Sequence, residues 1–83
     1  MFYVYILRSI VFGKIYIGFT KDLEKRVEHH NLGLDNYTKK YLPWELIFYE
    51  AYLSEKDARK REIFLKSGRG RQVIKEQLKF SLK

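Results

Sequence analysis

Two stretches near the start of the chain alternate in the manner of β-strands. Phe2, Val4 and Ile6 are interleaved with Tyr3, Tyr5 and Leu7, and Ile15, Ile17 and Phe19 with Tyr16 and Gly18. Successive side chains of a strand point to opposite faces, so a period of two in β-branched and aromatic residues predicts two strands. Phe12-Gly13 marks a turn between them and makes the pair an antiparallel hairpin. An odd-sum register, such as Tyr5 opposite Tyr16, collects the aliphatic sets on one face. Tyr3, Tyr5, Tyr16 and Gly18 then share the other, where two phenols converge beside a residue that leaves the backbone uncovered.

The pattern then changes period. Asp22 to His30 reads as a helix of about two turns, with Leu23 and Val27 as its buried stripe and Thr20 or Asp22 as its cap. Asn31-Leu32-Gly33 ends it, and a polar loop leads to Pro43. A third strand is predicted from Trp44 to about Leu53. Ser54, with Asp57 three residues on, suggests a capping box opening a helix that runs to about Lys66. Ser67-Gly68-Arg69-Gly70 reads as a break, and a last helix from about Arg71 to Phe80 puts Ile74 and Leu78 on one side. The order ββαβαα predicts an α+β fold, a small three-stranded antiparallel sheet with flanking helices, in one domain over residues 1–83.

Composition narrows the function classes. Fourteen aromatic residues among 83 make a modest core feasible, and the absence of cysteine excludes disulfides and thiolate-bound zinc. The longest apolar runs are too short to span a bilayer, and no basic residue precedes the first of them as in a secretory signal, so a cytoplasmic protein is expected. Seventeen basic residues against ten acidic ones leave a formal charge of +7. Ten of the basic residues lie between Ser54 and the end, opposed by four acidic ones. That excess favours a polyanion, and nucleic acid is the commonest in a cytoplasm.

Helical spacing singles out further residues. Arg26 and His30 are four apart and share the stripe of Leu23 and Val27, so a face turned to the sheet ends in a cation and an imidazole. Glu62, four residues after Ala58 and three before Leu65, turns inward on the second helix. Taken singly, each has an ordinary explanation: a packed strand tyrosine, a surface arginine, a histidine at a helix C-terminus, a glutamate paired with Lys66. Two tyrosines on one sheet face with Arg and His on one helix face form a less ordinary set.

Tyr3-Val4-Tyr5, then Tyr16-Ile17-Gly18, then Arg26 and His30, together resemble the paired motif of the GIY-YIG nuclease superfamily. Ala58-Arg59-Lys60-Arg61-Glu62 resembles the helix that carries its metal-binding glutamate. The similarity covers essentially the whole chain. It is closest to the small stand-alone bacterial branch, which resembles the nuclease module of the Slx structure-specific endonuclease. By this resemblance Tyr5 and Tyr16 stand at the two catalytic tyrosines, Arg26 and His30 are catalytic partners, and Glu62 is the ligand of a single Mg²⁺ or Mn²⁺. The first motif keeps its tyrosine but not its glycine. No asparagine is placed at the position many members carry near the domain end, which leaves Lys66, Arg69 or a backbone group for that role.

The resemblance implies a metal-dependent endonuclease that hydrolyses nucleic-acid phosphodiesters, DNA first, with structure specificity and a setting in DNA repair or recombination. Either tyrosine is a candidate base if neighbouring cations favour its phenolate, and Arg26, His30 or Lys14 could supply that field. Lys14, Lys66, Arg69, Arg71 and Lys75 are the candidate nucleic-acid contacts. The five catalytic and metal-binding candidates are expected around one shallow cleft on one side of the sheet. Two alternatives use the same residues: a nucleic-acid-binding module with little or no catalysis, and a nuclease subunit that needs a protein partner.

Overall fold

The structure, a computed structural model, describes residues 1–82. Three strands, β1 (Phe2–Ser9), β2 (Ile15–Thr20) and β3 (Trp44–Tyr52), form one antiparallel sheet in the order β2-β1-β3. The helices are α1 (Leu23–Asn31), α2 (Glu55–Lys66) and α3 (Gly68–Gln77), with a short 3₁₀ turn at Thr38–Tyr41. The result is the three-stranded α+β architecture that the alternation and helical stripes predict.

The hairpin has the expected faces but not the example register. Tyr5 lies opposite Gly18, and Tyr16 opposite Leu7. The offset is two residues, so no side chain changes face. The loop sets it: Ser9 N–H donates to Lys14 O at 2.8 Å and Gly13 N–H to Ser9 O at 2.9 Å, with Gly13 at φ 69°. A left-handed residue at that turn suits glycine.

β1 is the central strand and feeds two cores. Val4 and Ile6 join Ile17, Ala58, Leu65, Ile74 and Leu78 on the face covered by α2 and α3. Tyr5 and Leu7 join Trp44 on the opposite face, where Tyr16, Leu23, Val27, Tyr41 and Leu42 pack around them. The helices therefore flank both faces.

Four local expectations are corrected. Ser54 is the N-cap of α2, but no side-chain bond closes the capping box with Asp57; Ala58 N–H donates instead to the Ser54 carbonyl at 3.2 Å. The break between α2 and α3 is Ser67 alone, and α3 begins at Gly68. The Ser67 hydroxyl donates to Phe64 O at 2.6 Å and accepts from Gly70 N at 3.1 Å, ending one helix and capping the next. The last helix also stops at Gln77 rather than Phe80. Finally, the loop to Pro43 is not featureless. Its 3₁₀ turn carries Thr38, which is fully buried.

Candidate active site

The site is built where α1 crosses the tyrosine face of the hairpin. Asp22 caps α1 by accepting from Lys25 N at 3.1 Å, and the helix then runs with Leu23 and Val27 against the sheet. Two turns later it delivers His30, 1% exposed, onto Tyr5, 0% exposed. Tyr5 Oη and His30 Nε2 are 2.9 Å apart, and His30 Nδ1 lies 2.8 Å from Thr38 Oγ1. Asp35 accepts from the N–H groups of Thr38 at 2.8 Å and Tyr37 at 2.9 Å. Together these contacts form one chain, buried from Tyr5 through His30 to Thr38 and ending on the partly exposed Asp35. A neutral imidazole fits it, accepting from the Tyr5 O–H at Nε2 and donating Nδ1–H to the threonine. Gly18 makes the chain possible, because a Cβ there would fall on the Tyr5 hydroxyl and ring end.

The charges follow from this burial. Burial pushes the His30 imidazole below its ordinary value, with Arg26 and His29 acting the same way and Asp35 opposing. Burial also lifts the Tyr5 phenol far above its ordinary value, with the Tyr16 charge adding and Arg26 opposing. The Thr38 backbone N–H, with the Thr38 hydroxyl and Tyr37 N–H, holds Asp35 below the usual carboxylate range. His30 gives a stability prediction. The unfolded chain binds a proton near its ordinary pKa of about 6.5, while the folded state resists. Stability should therefore fall as pH drops below about 6.5, by at most about 1.4 kcal/mol per unit for one proton. Urea midpoints compared with His30→Gln between pH 7.5 and 5.5 check this. Parallel curves for parent and variant would mean that His30 is not held neutral.

Tyr16 is placed differently from Tyr5. Its ring packs edge-on to His30 at 4.9 Å, but it is half-buried and, among the described residues, nothing hydrogen-bonds its hydroxyl. Burial raises its pKa, and Asp35 and then Glu62 add to the rise, while Lys66 and Arg26 oppose it. Charges from α1, α2 and the loop are thus all felt at this one oxygen.

Arg26 is exposed and lines a hollow of about 500 Å³ with Phe19, Thr20, Lys21, Asp22 and Arg59. Arg59, its guanidinium 3.7 Å from the centre of the Phe19 ring, was not foreseen, nor was Lys21. Both sit among other charged residues, where sequence gives no reason to prefer one.

Glu62 comes from α2, a different layer of the fold from the one that holds Tyr5 and His30. α2 covers the face opposite Tyr5, and the Glu62 carboxylate is close enough to Tyr16 to help raise its pKa. Its side chain is 13% exposed and pairs with Lys66 Nζ at 3.0 Å and Arg59 at 3.7 Å. Among the described residues no three His, Asp or Glu side chains gather. One carboxylate completed by water and phosphate oxygens still suits a hard cation such as Mg²⁺.

The candidate nucleic-acid contacts are dispersed. Lys66 is at the site through Glu62, and Lys14 Nζ lies 5.0 Å from the Tyr41 ring centre. Arg69 and Arg71 are exposed on the first turn of α3, and Lys75 lines a separate hollow with Arg8 and Lys79 by the hairpin loop. Lys83, last of the basic run, lies outside the described residues. Asn31 has a structural role that its position alone did not reveal. Its side chain pairs with both backbone groups of Trp44, at 2.8 and 2.9 Å, tying the end of α1 to the start of β3.

Comparison with known proteins identifies the family. The model of the GIY-YIG catalytic domain matches residues 1–76. A UPF0213 protein of Staphylococcus aureus (strain Mu3) is 39% identical over 66 residues, covering 78% of this chain and 79% of its own length. One from Staphylococcus saprophyticus is 38% identical over the same shares. The solution NMR structure of a UPF0213 protein from Bacillus halodurans superposes with a TM-score of 0.57 at 31% identity, covering 93% of this chain and 85% of that one. The chain belongs to the GIY-YIG catalytic-domain family, among its UPF0213 relatives.

Proposed function

We propose that this protein is a divalent-metal-dependent endonuclease that hydrolyses nucleic-acid phosphodiesters, with DNA as its first substrate and a cytoplasmic setting in repair or recombination. The observation that carries the reading is the convergence on Tyr16. Its phenol oxygen, which no described residue hydrogen-bonds, feels Arg26 from α1 and both Lys66 and Glu62 from α2. Family membership supports it.

In this reading Tyr16 is the base. Its phenolate takes a proton from water as the water oxygen bonds to phosphorus, and the P–O bond to the leaving oxygen breaks. Lys66 and Arg26 favour the phenolate, and the planar Arg26 fork is suited to two phosphate oxygens. Tyr5 and His30 act as positioning residues: buried, they bond each other and Thr38, with Arg26 also acting on the Tyr5 phenol, and so fix the ring against which Tyr16 packs. Glu62 would hold the cation, which when bound would offset the carboxylate charge opposing Tyr16 ionisation and stabilise charge on the phosphate and leaving oxygen.

The test is incubation with labelled linear, flapped and four-way DNA, and the matching RNAs, in Mg²⁺ and in Mn²⁺. Cleavage that EDTA abolishes is the expected result. No cleavage of any form would leave the second reading, a binding module, which the closure of Glu62 by Lys66 and Arg59 favours. In either case phosphate contacts should dominate binding. Affinity should fall steeply between 50 and 200 mM salt, roughly an order of magnitude or more, with little dependence on sequence. Titration of a labelled duplex across that range checks this, and salt-independent binding would contradict it.

A further inference from the structure

From Tyr16 outward, aromatic rings follow one another across the surface. Tyr37 stacks on Tyr16 at 6.3 Å with planes 29° apart, Tyr41 lies 5.3 Å from Tyr37, and Phe12 at the hairpin tip meets Tyr41 edge-on at 5.5 Å. Tyr37 and Phe12 stand clear of the core, while Tyr16 and Tyr41 pack half-buried against it. Tyr37 is 46% exposed and Phe12 58%. Cations accompany them: Lys14 lies over Tyr41, and Lys39 and Lys40 stand exposed on the 3₁₀ turn between Tyr37 and Tyr41.

Flat apolar faces interleaved with ammonium groups suit an unpaired nucleic-acid strand, whose bases stack on rings while its phosphates meet the cations. A duplex keeps its base faces inside its own stack and gains little from such rings. A second copy of this chain would bring another +7 charge to the same lysines. The track is also continuous with the place where a phosphodiester is to be held.

We propose that Phe12, Tyr41 and Tyr37 form a stacking platform for the unpaired bases of a single-stranded segment, guiding that strand to Tyr16. The proposal rests on the nuclease reading for the strand's destination, but the stacking itself requires no cleavage.

The experiment measures binding in EDTA at low salt to three labelled probes: an oligodeoxynucleotide, the same strand with abasic sites in place of its bases, and the blunt duplex. An oligoribonucleotide of the same sequence shows whether the platform distinguishes the two backbones. Phe12→Ala and Tyr37→Leu, both at exposed positions, should each weaken binding of the intact strands about fivefold or more. The abasic strand and the duplex should change little, and Tyr37→Trp should restore affinity. Equal losses on intact and abasic strands, or no loss on either, would overturn the platform. So would unchanged strand binding with loss of self-association in sedimentation, which would assign the rings to a second copy. Because binding is read without metal, a chain that cuts nothing can still pass this test. A chain that cuts normally while both variants bind unchanged loses only the platform.

Discussion

Tyr16→Phe and Glu62→Gln should each lower cleavage by roughly a hundredfold or more, the scale of a lost general base, while the protein stays folded. The tyrosine change removes one hydroxyl that no described residue holds, and keeps the ring packed against His30 at 4.9 Å and Tyr37 at 6.3 Å. Stability should therefore move by less than about 1 kcal/mol. Glu62→Gln keeps the shape of the side chain but removes the charge paired with Lys66 and Arg59. Freed of that partner, Lys66 gains reach toward phosphate, so binding in EDTA should hold or tighten. The pH profile supplies a second signature. The phenol is held above its ordinary pKa of about 10, so near neutrality only a small fraction is phenolate and each pH unit should raise the rate close to tenfold. In Tyr16→Phe that slope should vanish. Single-turnover assays on a substrate cut by the parent decide it, and unchanged cleavage in both variants would remove Tyr16 and Glu62 from the chemistry.

Gly70→Ala should cost about 3 kcal/mol or more, a large share of the stability of so small a domain. Alanine in a helix normally gains about 1 kcal/mol over glycine, so ordinary helix propensity predicts the opposite sign. Sterics decide against it. A Cβ at Gly70 would overlap the Phe64 carbonyl and crowd the Leu65 Cα, both backbone atoms of α2 that cannot swing aside as a side chain does. The two helices would have to separate, exposing Leu65 and Ile74, which are 1% and 4% exposed. Gly68, one residue into the same helix, has nothing within 4 Å of the same position and provides the control. Chemical denaturation of the two variants should give opposite signs; a neutral Gly70→Ala would show that α3 is not held so closely.

Features that repeat along the chain were legible in the sequence, and those that depend on loops meeting helices were not. Alternation in β1 and β2 assigned Tyr5 and Tyr16 to one face, and four-residue spacing put Arg26 and His30 together. No such rule relates His30 to Thr38 eight residues later, because a 3₁₀ turn in a polar loop leaves no periodic trace. The Gly68 and Gly70 pair was misread because glycine marks a helix break and a close helix crossing equally well. For Glu62, the inward turn could be read from Ala58 and Leu65, but not the face of the sheet from which its helix approaches. That depends on how the chain crosses over after β3.

The position of β1 has a consequence for how the molecule comes apart. Val4, Tyr5, Ile6 and Leu7 are each no more than 1% exposed, yet they face alternately into two different cores. Neither core has a wall of its own on that side. If β1 detaches, the aliphatic layer and the Tyr5–His30 chain are lost in the same event, so the candidate site has no private unfolding route through this strand. Its slowest-exchanging amides should therefore report the global transition rather than a local opening, with the site and the scaffold behaving as one cooperative unit.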